Sequence, residues 1–294
     1  MSVLLAIALL QAGPLVTPGA APAIGQSPLR DEHTRRRHDT APAGIAAPET
    51  SRLGQCLQAA ESDAPAAEAA ARDWLKVVSG SAQAAPLLCL GSAQAAQENW
   101  DEAEKSFLSG RDLAAASDRG LRARLGAMAG NAALAQGDAA RALAVLDLAR
   151  KDAEITSDDP HLAGDIAMDR ARALVSLQRL DEAGEALVEA RGGNPNNAQA
   201  WLLSATLSRR QGRLAQAQAQ IQTASELLPT DPEIGLEAGV IAVLAGHDEA
   251  ARKSWQSVLA AAPSSPQAET ARGYLAQLAP PPAGGSRTPA STGK

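Results

Sequence analysis

The sequence predicts an all-α fold, a solenoid of stacked helix–turn–helix repeats, on three observations. Residues 194–263 hold two copies of one spacing rule, set 34 residues apart. Pro229 and Pro263 close the two copies at that same interval. Large side chains are scarce: aromatics make up 2% of the 294 residues, and much of the 45% apolar content is Ala. Such a chain has little with which to fill one globular core, but its helices can approach closely in a stack. A fixed period of this length marks a stacked repeat.

In the rule a small residue is followed after 7 by Gly, after 5 more by Ala, after 4 more by a large apolar residue, and after 3 more by Ala or Val. One copy reads Ala205, Gly212, Ala217, Ile221 and Ala224; the next reads Gly239, Gly246, Ala251, Trp255 and Val258. The small residue lets helix A of a repeat lie against its helix B. Gly ends helix A, because it takes left-handed backbone angles cheaply. The Ala is a second close-approach point, and the large residue shares its face of helix B and plugs the space towards the next repeat. Pro ends the unit because it cannot continue a helix. With Trp201 near the start of a helix A and Leu214 just after a turn, these residues resemble the tetratricopeptide repeat. That resemblance covers Pro86–Pro263 and implies a right-handed superhelical solenoid.

Residues 1–23 read as a secretory signal peptide, with a short apolar core from Val3 to Leu10 and small residues Ala21-Pro22-Ala23 at the cleavage site. The apolar run is too short for a membrane span, so no stable span is expected after cleavage. Residues 24–50 carry three prolines and the run Arg35-Arg36-Arg37, and read as a disordered linker. The solenoid is expected over 51–278, beginning with a degenerate helix pair at 51–78, Arg52–Glu61 and Pro65–Val78. Ala70 and Trp74 keep the end of the rule there, while Gln58 and Pro65 replace the small residue and the turn Gly. Repeats follow over about 84–265. Three precede the opening pair: Gly91, Glu98, Ala103, Phe107, Gly110; then Gly130, Gly137, Ala142, Leu146, Ala149; then Ala171, Gln178, Ala183, Leu187, Ala190. Glu98 and Gln178 stand where the turn Gly belongs. The steps of 39 and 41 residues imply insertions near 116–122 and 156–161. A capping helix at 266–278 presents Ala271, Tyr274, Leu275 and Leu278 on one face, as the open end of a solenoid requires. Residues 279–294 read as a disordered tail.

Motifs for a nucleophile with its base, a metal cluster, a phosphate loop or a dinucleotide are absent. No catalytic residue, metal site or cofactor is expected. The net charge of −6 argues against a general nucleic-acid-binding surface. Cys56 and Cys89 are 33 residues apart, and the degenerate pair is offset from the next copy by 33 as well, which places them on neighbouring A helices. Behind a signal peptide an even cysteine count suggests a disulfide; the alternative is two buried free thiols. In proteins of the resembled family the A helices line a concave groove that holds a peptide or partner helix. On this chain the resemblance points to Arg124, Asn131, Met168, Arg172, Thr206 and Arg209, polar with a basic bias, and to an apolar stretch near Val240. An acidic or carboxylate-ended segment is the expected occupant.

The expected function is therefore a non-enzymatic exported scaffold, in the periplasm or secreted, holding a protein or peptide partner during envelope or secretion-apparatus assembly. The alternatives are a cytoplasmic regulatory adaptor with an uncleaved N-terminus and an enzyme using the repeats as a substrate clamp. Against the enzyme, the longest stretch outside the repeats, 24–50, lacks an apolar core.

Overall fold

The computed structural model describes residues 49–154 and 159–278. The signal peptide, most of the linker and the C-terminal tail expected from the sequence lie outside them. Among the described residues the regular structure is helical, with no strand. The helices are α1 Glu49–Ser62, α2 Ala64–Leu75, α3 Ala84–Ala96, α4 Trp100–Leu113, α5 Arg119–Ala135, α6 Ala139–Glu154, α7 Pro160–Ser176, α8 Leu180–Gly193, α9 Ala198–Arg210, α10 Leu214–Leu227, α11 Pro232–Leu244, α12 Asp248–Ala261 and α13 Pro266–Gln277. These are the helix–turn–helix pairs of the expected solenoid class, with α13 as the cap. The chain divides into two compact units between Leu203 and Ser204, inside α9.

In the N-terminal unit each helix from α1 to α7 packs on the next, and α1 also packs on α3. Cys56 and Cys89 form a disulfide with their Cα atoms 6.0 Å apart, tying α1 to α3. Around it lie Ala71, Leu87 and Leu90. Arg52 stacks over the Trp74 ring at 4.5 Å, which ties α1 to α2 as well. Helix α1 begins two residues before the expected start of order.

The spacing rule has a direct steric cause. A Cβ on Gly91 would stand 2.5 Å from the Phe107 ring, and one on Gly130 would stand 2.5 Å from Leu146. A Cβ on Gly239 would collide with Trp255. The small residue of helix A is thus the seat for the large residue of its own helix B. All five turns close alike. At Gly137, Gly212 and Gly246 φ is 80°, 74° and 79°. Glu98 and Gln178 adopt the same left-handed conformation, at 61° and 59°, without being glycine. Each turn ends its helix with a six-residue backbone bond, such as Asn99 N–H to the Gln94 carbonyl at 2.9 Å and Arg179 N–H to the Leu174 carbonyl at 2.9 Å. The fold holds the left-handed turn even where the residue disfavours it.

Four residues of each insertion take the form of extra helix. In α3, α9 and α11 the first helical residue precedes the small residue by 7. In α5 and α7 it precedes it by 11. Each of these two helices therefore carries one added N-terminal turn, 119–122 and 160–163, capped by the Asp118 and Asp159 side chains.

In the C-terminal unit α11 packs on α10, α12 and α13. Val240, Val243, Trp255 and Val258 form one core with Ala268, Ala271 and Leu278 of the capping segment, and Tyr274 packs on the Trp255 ring at 5.0 Å. The apolar stretch of α11 near Val240, expected from the sequence as a greasy binding end, is thus core beneath the cap.

Candidate functional site

Helix α7 sets up the polar site of the N-terminal unit. Asp159 caps its start, accepting from the Leu162 N–H at 3.1 Å, and Pro160 occupies the first turn, where no N–H is needed. Helical spacing then puts Asp165, Met168, Asp169 and Arg172 on one face. Asn131 reaches across from α5 and donates to Asp169 Oδ2 at 2.8 Å, while the Arg172 guanidinium donates to Asp169 Oδ1 at 2.7 Å. From the α8–α9 connection, Asn197 and Asn194 donate to Asp165 Oδ1 at 3.0 and 3.3 Å. Asp165 Oδ2 is buried and has no hydrogen-bond partner among the described residues.

Burial dominates the electrostatics here. It pushes the Asp169 carboxyl above the ordinary carboxylate range despite the opposing pull of Arg172 and Asn131. Burial raises Asp165 as well; the two asparagine amides oppose it, and the neighbouring Asp169 charge reinforces it.

The expected groove residues are not one set. Arg124, Asn131, Met168 and Arg172 belong to the N-terminal unit, Thr206 and Arg209 to the C-terminal unit. Arg124 is exposed and makes no ion pair among the described residues. Asn131 and Arg172 are half-buried and committed to Asp169. Met168 is core, packed with Ala167, Ala190 and Ala200. Thr206 is half-buried. Arg209 is fully buried and pairs through Nε with Glu237 Oε1 at 2.6 Å. The expectation that Arg209 faces a groove is therefore corrected: a guanidinium with 0% exposure and a carboxylate against it is a core ion pair. The basic bias read from Arg172 and Arg209 is neutralised inside the protein. Asp169 and Glu237, the acids responsible, were not among the expected site residues. For Asp169 a signal existed, since it stands three residues before Arg172 on the same helix; for Glu237, 28 residues from Arg209, there was none.

Between α6, α7 and α8 lies an open cavity of about 350 Å³, lined by Arg150, Arg170, Leu174, Ala186 and three glutamates of α8. Its arginines are already held, Arg150 by Glu189 at 2.9 Å and Arg170 by Asp147 at 2.7 Å. Among the described residues no group of His, Cys, Asp and Glu is placed to hold a metal ion, and no helix is long and apolar enough to cross a membrane.

No family model matches the chain, and no curated protein sequence does. Solved structures do. PilW, described as a type IV pilus biogenesis factor, superposes with a TM-score of 0.63 at 16% identity, covering 77% of this chain and 99% of that one. PilF from Pseudomonas aeruginosa gives 0.61 at 14% identity, with coverages of 77% and 99%. A segment of MamA from Desulfovibrio magneticus gives 0.51 at 16%, with coverages of 62% and 97%. At these identities the likeness establishes the fold, a tetratricopeptide-type helical solenoid.

Proposed function

We propose that this protein is a non-enzymatic interaction scaffold, exported to the cell envelope, that holds an extended segment or helix of a protein partner on the α5–α7 face of its N-terminal unit. The observation that carries the reading is Arg124, exposed and without an ion pair among the described residues, beside a polar face on which Arg172 and Asp169 are paired with each other and Asp165 is held by Asn194 and Asn197. Such a face offers a hydrogen-bonding platform with one cation, Arg124, that no acid among the described residues meets, suited to an acidic residue of the partner. Export is supported by the signal-like residues 1–23 together with the disulfide, a bond that persists in oxidising compartments. The PilW description is in keeping with an assembly role in the envelope.

Two measurements test this. Intact mass of protein from its native host should lack residues 1–23; a mass that includes them removes the export claim and leaves a cytoplasmic adaptor. Affinity capture from the native compartment, run in parallel with wild type and Arg124→Glu, should retain a partner on the first and lose it on the second. Equal retention by a variant of unchanged helicity places the interface elsewhere.

A further inference from the structure

The added turn of α5 carries a charge cluster that the repeat itself does not require. Arg119 opens that turn and Arg122 closes it. From the last turn of α4 comes Arg111. All three converge on Asp152, in the last turn of α6. The Arg111 Nη2 lies 2.7 Å from Asp152 Oδ2, the Arg119 Nη1 lies 3.0 Å from Oδ1, and the Arg122 Nε lies 3.6 Å from the same Oδ1.

A helix-to-helix clamp needs one cation for each carboxylate, and here three meet one. Among the described residues the one other acid in ion-pair range is Asp112, 3.8 Å from Arg111 and itself solvent-exposed. Counting it, the cluster is still cationic by one. The Arg122 Nη1 donates to the Arg111 carbonyl at 2.9 Å, which engages part of one guanidinium. Donors remain in excess: the Nε of Arg111 and the Nε of Arg122 are buried with no hydrogen-bond partner among the described residues. The placement also runs against the helix dipole, which favours acids in a first turn. Beyond the capping Asp118, the first turn of α5 holds two arginines and no acid. Arg119 is the accessible member, with 38% of its side chain exposed, and the Arg111 side chain behind it is 11% exposed.

We propose that this cluster is an oxyanion-docking site, with Arg119 and Arg122 as its outer donors and Arg111 fixed behind them, for a carboxylate or phosphate group carried by a protein partner. Asp152 is the resident anion that holds the guanidiniums in register, and the docked group supplies the negative charge they lack. The site is separate from the α5–α7 face and does not depend on it.

The test is calorimetric titration of the full chain with inorganic phosphate and, separately, with succinate, at ionic strength held constant by sodium chloride. One of them should bind saturably, and the tighter one identifies the kind of group. Arg119→Gln should weaken that binding roughly tenfold, the loss of one charge-assisted contact. Asp152→Asn keeps the arginines, removes the competing charge and should tighten binding by a similar factor. If Asp152→Asn does not fold, as circular dichroism will show, the exposed Arg119→Gln carries the test alone. Absence of saturable binding by either anion, or binding that Arg119→Gln leaves unchanged, overturns the proposal.

Discussion

At the scale of single residues, the site of the N-terminal unit is governed by two carboxylates kept out of water. Asp165 shows the effect most simply, since one of its oxygens has no partner among the described residues. Its folded-state pKa is raised by burial. The stability linked to it is therefore fully present below the unfolded-state value and is lost as pH rises through the folded-state value. At any pH above the folded-state value the ionised, buried group is a penalty. Asp165→Asn keeps the acceptor for Asn194 and Asn197 and removes the charge. Its unfolding midpoint should exceed that of the wild type at pH 7, and the advantage should shrink as pH falls, vanishing only below the ordinary aspartate value of about 4, where the wild-type group is protonated in both states. Thermal melts across that range check this; a variant less stable than wild type at pH 7 would show that the charge itself is required, by way of His161 or the asparagine amides.

Two kinds of element give the repeats their geometry, the left-handed turn and the small–large pair. Glu98 and Gln178 hold left-handed angles that cost an ordinary residue about 1 kcal/mol or more. Glu98→Gly and Gln178→Gly should each stabilise by about 0.5–1 kcal/mol after the added entropy of glycine in the unfolded chain. Gly137→Ala should destabilise by a comparable amount, and denaturant melts of the three variants separate the signs. Trp255 sits on Gly239, donates its indole N–H to the Leu236 carbonyl at 3.1 Å, and packs on Tyr274 of the cap. Trp255→Ala should cost about 3–5 kcal/mol, as loss of a buried aromatic does. It should also deprotect amides of α13 before those of α12 in hydrogen exchange. A loss no larger than that of a surface substitution would contradict the packing described here.

For the whole molecule, the disulfide is the one covalent tie among the described residues. It joins α1, which lacks the small residue and turn Gly of a full repeat, to α3. Closing a loop of 33 residues contributes roughly 3–4 kcal/mol in the chain-entropy model. In a stack where each pair is held by its neighbours, that is enough to decide whether α1 and α2 stay docked. Reduction should open 49–78 to limited proteolysis while the repeats from α3 onward stay resistant. Thiol counting on unreduced, unfolded protein from its native compartment should find none free; two per chain would mean that the bond is not formed there.

Much of this architecture was legible in one dimension. Periodicity located the helix pairs, the left-handed turns, the seats at Gly91, Gly130 and Gly239, the capping helix and the facing cysteines. Each of these depends on spacing along one helix or on a fixed repeat interval, which a sequence displays directly. What only the tertiary structure decided was which charges are spent. Arg209 is matched by a glutamate 28 residues away, and Arg111 by an aspartate 41 away. Arg172 is matched by Asp169, itself fixed by Asn131 from another helix. A repeat period says which face of a helix a residue shares, but not its depth or the charge that meets it from the next helix. Desolvation and Coulomb attraction depend on both of those, so the fold could be read from spacing while the free charges could be assigned only in three dimensions.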